Sequence, residues 1–165
     1  MTARMLVAGV GNIFLTDDGF GSEVLRRMAG TPTPPDVHLL DAGIRGVHLA
    51  YQLLDGYEVL VVVDAAQRGH APGTVTLVEV DPNEVPDNSA QVADGEAPLV
   101  DAHGLEPGAI LSMLGSLGGA VQQVYLVACE PASLDDGIGL SPEAEAAVAP
   151  AISLVEQLMW KEVSR

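Results

Sequence analysis

Val59-Leu60-Val61-Val62-Val63 is a run of apolar, mostly β-branched residues stopped abruptly by Asp64. Such a run lacks the alternation of a half-exposed strand and suits one covered on both faces, as in a parallel sheet flanked by helices. A second run of this kind, Arg4–Val10, is closed by Gly9-Val10-Gly11. Between and beyond these two strands the apolar period changes. Phe20, Val24, Leu25 and Met28 share one helical face, and Gly30 ends it. Thr31–Pro35 is a turn, Val37–Asp41 a strand, and Val47–Leu54 a short helix stopped by Asp55-Gly56.

Downstream, Thr74–Val80 reads as a strand. Only Ala65–Gly73 separates it from the Val59 strand, too short for a parallel crossover, which needs about a dozen residues. The two strands are expected to be antiparallel neighbours or to be joined by an irregular bend. Asp81–Ala102 is a polar stretch with six acids and no Lys or Arg. Its length marks it as a functional or solvated loop. A helix follows with Pro107 in its first turn and a stripe of Ile110, Leu111, Met113, Leu114 and Leu117. Val124–Ala128 is the last strand. Ser141-Pro142-Glu143 opens a helix with an N-cap, a proline at N1 and an acid at the positive end; it runs to about Trp160, with Pro150 as a point of bending. The pattern predicts one domain over 1–165: a three-layer α/β/α arrangement around a five-stranded, mostly parallel sheet with four of its strands parallel.

Composition narrows the function. Apolar residues make up 48% of the chain and charged residues 18%, which excludes wholesale disorder. Acids outnumber bases 23 to 7, for a net charge of −16, so nucleic acid and anionic membranes are excluded as partners. No apolar run reaches the roughly 18 residues of a membrane span, and the Met5–Val10 run reads as a strand rather than a signal peptide. A cytoplasmic protein is expected. One cysteine, Cys129, precludes an intrachain disulfide.

Three side chains stand out. Asp64 ends the strongest strand, an awkward place for an idle charge. Asp18 lies just beyond the first strand. If those strands are neighbours, both acids meet at the carboxyl edge of the sheet, where open α/β sheets place their sites. His103 ends the acidic loop before a helix, and two carboxylates with one imidazole suit a borderline divalent ion such as nickel or zinc. The other histidines (His38, His48 and His70) read as structural or surface residues. Asp17 reads as a helix cap. Gly9-Val10-Gly11 hints at a dinucleotide turn, but Phe14 occupies the position of the third glycine. Ser116 lacks the elbow of a serine hydrolase.

Four segments in order resemble the hydrogenase maturation proteases, the endopeptidases that process the large subunit of nickel–iron hydrogenases. Val7–Gly21, with its Gly-Val-Gly-Asn start and Asp17-Asp18-Gly19-Phe20-Gly21 end, resembles the family's opening motif. Val61-Val62-Val63-Asp64-Ala65 resembles its central strand, Ala102-His103-Gly104-Leu105 its histidine segment, and Glu130–Leu134 with Gly139–Pro142 its C-terminal pattern. The resemblance implies that Asp18, Asp64 and His103 contact a metal and that Asp18 and Asp64 serve catalysis. It implies a nickel-loaded large-subunit precursor as partner, with nickel supplied by that precursor and only weakly held by the protease. It implies removal of the precursor's C-terminal extension, and it implies a mixed five-stranded sheet whose fourth strand is antiparallel to the rest, in agreement with the short Ala65–Gly73 connection. One departure is Asp41-Ala42-Gly43-Ile44, where the family often carries Asp-Gly-Gly-Thr, so no hydroxyl role transfers there. A non-catalytic nickel-sensing chaperone and a nucleotide-binding α/β domain are the alternative readings.

Overall fold

The computed structural model describes residues 4–44, 46–82 and 107–163. Strand β1 spans Met5–Val10, and a 3-10 turn at Thr16–Gly19 leads into helix α1, Phe20–Met28. Strand β2 (Val37–Gly43), helix α2 (Gly46–Leu53), strand β3 (Val59–Ala65) and strand β4 (Val75–Val80) follow. Helix α3 is Pro107–Ser116, strand β5 is Gln123–Cys129, and helix α4 is Pro142–Val163. The expected elements are all present among the described residues, with boundaries moved by one to three residues. Helix α4 is continuous through the exposed Pro150 and runs on to Val163.

The sheet order is β2-β1-β3-β5-β4. Strands β1, β2, β3 and β5 are parallel, and β4 is antiparallel to β5. The direction of β4 agrees with the short connection before it. Its place corrects one of the two expectations: β4 is not beside β3, because β5 inserts between them. The irregular connection is the reading that holds, and its first residue, Ala66, donates to the Cys129 carbonyl (3.0 Å).

Alternation along the buried strands builds two cores. Met5 and Val7 of β1 and Val59, Val61 and Val63 of β3 face one side, with Phe20, Val24 and Met28 of α1 and Val148, Val155 and Met159 of α4. Leu6, Ala8 and Val10, with Leu60 and Val62, face the other, with Leu49 and Leu53 of α2 and Leu111 and Leu114 of α3. Each such side chain contributes roughly 1.5–3 kcal/mol on leaving water. This is why the strands are apolar throughout rather than alternating.

Close approach of α1 to the sheet depends on glycine. A Cβ on Gly21 would stand 2.1 Å from the Val63 carbonyl oxygen and 2.6 Å from that of Val10. A Cβ on Gly9 would stand 2.3 Å from the Gly21 carbonyl oxygen. Gly9, which resembles part of a nucleotide turn, and Gly21 together therefore let α1 sit directly on β1 and β3.

Candidate active site

From β1 the chain passes to β2 on one side, and β3 then lies on the other side of β1. The strand order thus reverses between β1 and β3, and ligands of open α/β sheets bind at the carboxyl edge of such a point. Asp18, in the 3-10 turn after β1, and Asp64, at the end of β3, are the acids placed there. Gly11 packs against the backbone of the first and the side chain of the second. The position its Cβ would take lies 1.9 Å from the Asp18 carbonyl oxygen and 3.5 Å from Asp64 Oδ1. With φ at +132°, Gly11 also holds a backbone conformation that side chains resist.

Both carboxylates are oriented by backbone amides. The Asn12 N–H donates to Asp18 Oδ2 (2.8 Å), and the Ala65 N–H donates to Asp64 Oδ1 (2.7 Å). Asp18 is only 2% exposed, whereas Asp64 is half-buried. The third expected ligand, His103, lies outside the described residues. Among the described residues no three His, Cys, Asp or Glu side chains gather closely enough to hold a metal ion. The two acids fit part of a hard-donor site, and any further donors come from elsewhere.

The remaining candidates sort cleanly. His38 Nδ1 meets the Tyr57 hydroxyl at 2.5 Å, and His48 is exposed on α2. His70 is exposed and gives its backbone N–H to Glu130 (3.0 Å). Cys129 is fully buried; burial, with help from the Asp17 and Glu130 charges, pushes its thiol up to about 12, so it is no nucleophile at neutral pH.

Two acids do more than their local sequence suggests. Asp17 does not cap its own helix. Its buried carboxylate accepts from the N–H groups of Ala132 (2.8 Å), Ser133 (3.3 Å) and Ser141 (2.7 Å) and from Ser141 Oγ (2.7 Å). Glu130 Oε1 accepts from the N–H groups of Arg68 (2.8 Å) and His70 (3.0 Å) and so pins the β3–β4 connection. Nothing in either neighbourhood of sequence signals these partners. Burial alone would raise both carboxyls, but the hydrogen bonds outweigh it and hold both below their ordinary values. Lowered folded-state values mean stabilisation that is fully present above the unfolded values, near 3.8 and 4.5, and lost as pH falls through the folded ones. Urea midpoints are therefore expected to be level above about pH 5 and to fall steeply below about pH 4. Glu130→Gln should show a shallower fall; an unchanged slope would contradict this assignment.

Three exposed apolar side chains stand on the loops that flank the 3-10 turn. Ile13 (48% exposed), Phe14 (60%) and Ile138 (77%) project from two loops that are bridged at Leu15 and Gly137. Ile13 and Ile138 line a cavity of about 340 Å³ whose other walls include the polar Ser22, Glu23, Arg26 and Asp41; neither Asp18 nor Asp64 lines it. Large exposed apolar side chains gathered beside polar groups mark contact surfaces.

The chain is similar to known proteins along most of its length. The family model for hydrogenase maturation protease (HycI) matches residues 22–158. The chain is 34% identical over 161 residues to hydrogenase expression/formation protein HupD of Bradyrhizobium diazoefficiens, spanning 94% of this chain and 78% of that protein. It is 32% identical over 158 residues to the hydrogenase 2 maturation protease of Escherichia coli (strain K12), spanning 92% of this chain and 88% of that one. The structure of the hydrogenase maturating endopeptidase HybD from E. coli superposes with a TM-score of 0.75 at 29% identity, covering 96% of this chain and 93% of HybD. With agreement along nearly the whole length and the same fold, the chain belongs to the hydrogenase maturation proteases, a family of endopeptidases.

Proposed function

We propose that this protease is a cytoplasmic, nickel-dependent endopeptidase that removes the C-terminal extension of a nickel–iron hydrogenase large-subunit precursor. The observation that supports the reading is the placement of the turn bearing Asp18 and of the Asp64 carboxylate beside Gly11, at the strand-order reversal. Nickel arrives with the precursor as part of the substrate, held by the precursor's thiolates. Thiolates are softer ligands and bind nickel more tightly than carboxylates do. Asp18, Asp64 and His103 thus contact the ion without extracting it, and the isolated protease holds metal weakly. A bound divalent ion supplies Lewis acidity toward a carbonyl or a water.

The protein's own residues do the positioning. Asn12 and Ala65 amides hold the two carboxylates in place. Either carboxylate can accept the proton of the attacking water and return it to the leaving amine, as paired acids do elsewhere. The exposed Ile13, Phe14 and Ile138 supply contact area for the chain being cut.

The test is incubation with precursor, nickel-loaded and nickel-free, followed by gel electrophoresis and mass measurement of the product. Shortening of the loaded precursor alone is expected. Shortening of both would remove nickel dependence from the reading, and complex formation without shortening would make the protein a non-catalytic chaperone.

A further inference from the structure

Of the adjacent acids Asp17 and Asp18, the proposed chemistry uses only the second. Asp17 is nonetheless the more completely enclosed, at 0% exposure. Four donors occupy its carboxylate, three of them backbone N–H groups and the fourth Ser141 Oγ. Ser141 in turn caps α4, accepting from the Ala144 N–H (3.2 Å). Contacts also run the other way between the same two segments. The Asp17 N–H donates to the Ser133 carbonyl (3.2 Å) and the Thr16 N–H to the Gly137 carbonyl (2.9 Å). Thr16 Oγ1 reaches the Ser133 and Asp135 carbonyls (2.8 and 3.1 Å), and the Gly137 N–H donates to Phe14 (2.8 Å).

This clamp holds a backbone that would otherwise relax. Thr16 has φ of +48°, and among the described residues it is the one non-glycine residue with positive φ. Such conformations persist where the surroundings over-determine them. In a 3-10 turn successive side chains are separated by roughly 120° about the axis. When Asp17 is fixed toward residues 132–141, Asp18 is turned away from them, and its Oδ2 meets the Asn12 N–H.

We propose that Asp17 is a positioning residue: by anchoring the 3-10 turn to the 132–141 loop, it sets the orientation of the Asp18 carboxylate against the Asn12 amide. The inference rests on the reading of Asp18 as a group that contacts substrate. A purely structural anchor would stabilise the fold without setting that orientation.

The Asn12 amide separates the two, because it reports directly on Asp18 and needs no metal. Amide hydrogen exchange by NMR is compared in wild type, Asp17→Asn and Val155→Ala, the last a buried truncation in α4 chosen to lower Tm. Asp17→Asn is expected to speed exchange at Asn12 at least tenfold more than Val155→Ala does, and to lower kcat for precursor processing at least tenfold with KM unchanged. Equal exchange at Asn12 in the two variants would overturn the proposal. If Asp17→Asn does not fold, Ser141→Ala removes one of the four donors and is expected to speed Asn12 exchange severalfold; no change there would equally overturn it. If wild type fails to shorten nickel-loaded precursor, the endopeptidase reading falls, while the Asn12 amide still decides whether Asp17 orients Asp18.

Discussion

Asp64→Asn is expected to abolish precursor processing while leaving the fold unchanged. The substitution keeps the side chain's shape at the end of β3 and keeps an oxygen able to accept the Ala65 N–H. What it removes is the negative charge and the ability to take up a proton. General acid–base participation contributes about 10²–10⁴ in rate, so product should fall at least about 10²-fold. Loss of a ligand charge also weakens any divalent ion at the site. Thermal denaturation should give a Tm close to wild type, and timed precursor digestion should give no product band. Processing at the wild-type rate would show that Asp64 neither touches the metal nor moves a proton. The same outcome is expected for His103→Ala, whereas His48→Ala and His70→Ala should process normally.

The second large effect is on folding. Gly21→Ala is expected to destabilise the protein severely, although alanine in place of glycine within a helix ordinarily stabilises by about 1 kcal/mol. The added methyl would meet two backbone carbonyl oxygens, of Val63 and Val10, at 2.1 and 2.6 Å. Backbone of two adjacent core strands has no rotamer into which to move. Overpacking costs typically 1–3 kcal/mol where side chains can yield and more where they cannot. We expect a loss of more than about 3 kcal/mol, read as the urea midpoint at constant m. Gly115→Ala is the control. Gly115 lies in α3 with no described heavy atom within 4 Å of the new Cβ, so alanine there should stabilise by about 0.5–1 kcal/mol. Effects of the same sign at both positions would mean that helix propensity rather than close approach governs Gly21.

Much of this architecture was legible in the residues because its causes are local. Five apolar residues before Asp64 made a doubly covered strand and put its acid at an edge. The short Ala65–Gly73 connection excluded a parallel crossover. The lateral place of β4 was not legible, because connection length constrains direction but not which later strand will intrude, and β5 does so. The roles of Asp17 and Glu130 were hidden for a related reason. A periodic pattern carries information over one or two turns, while Glu130 reaches back 62 and 60 residues to its amide partners. The expectation that Asp18 and Asp64 share one edge of the sheet carried the condition that β1 and β3 be neighbours, and the sheet order satisfies that condition.

The clamp around Asp17 joins positions separated by 115 to 124 residues. During synthesis the turn that bears Asp18 emerges early, and the amides that hold it emerge more than a hundred residues later. Contacts of such separation form late and slow the folding search. A ribosome-bound chain that displays only β1 through β4 lacks the amides that fix Asp17, and on the proposed role of that clamp proteolytic competence is expected to await the emergence of residues 132–141.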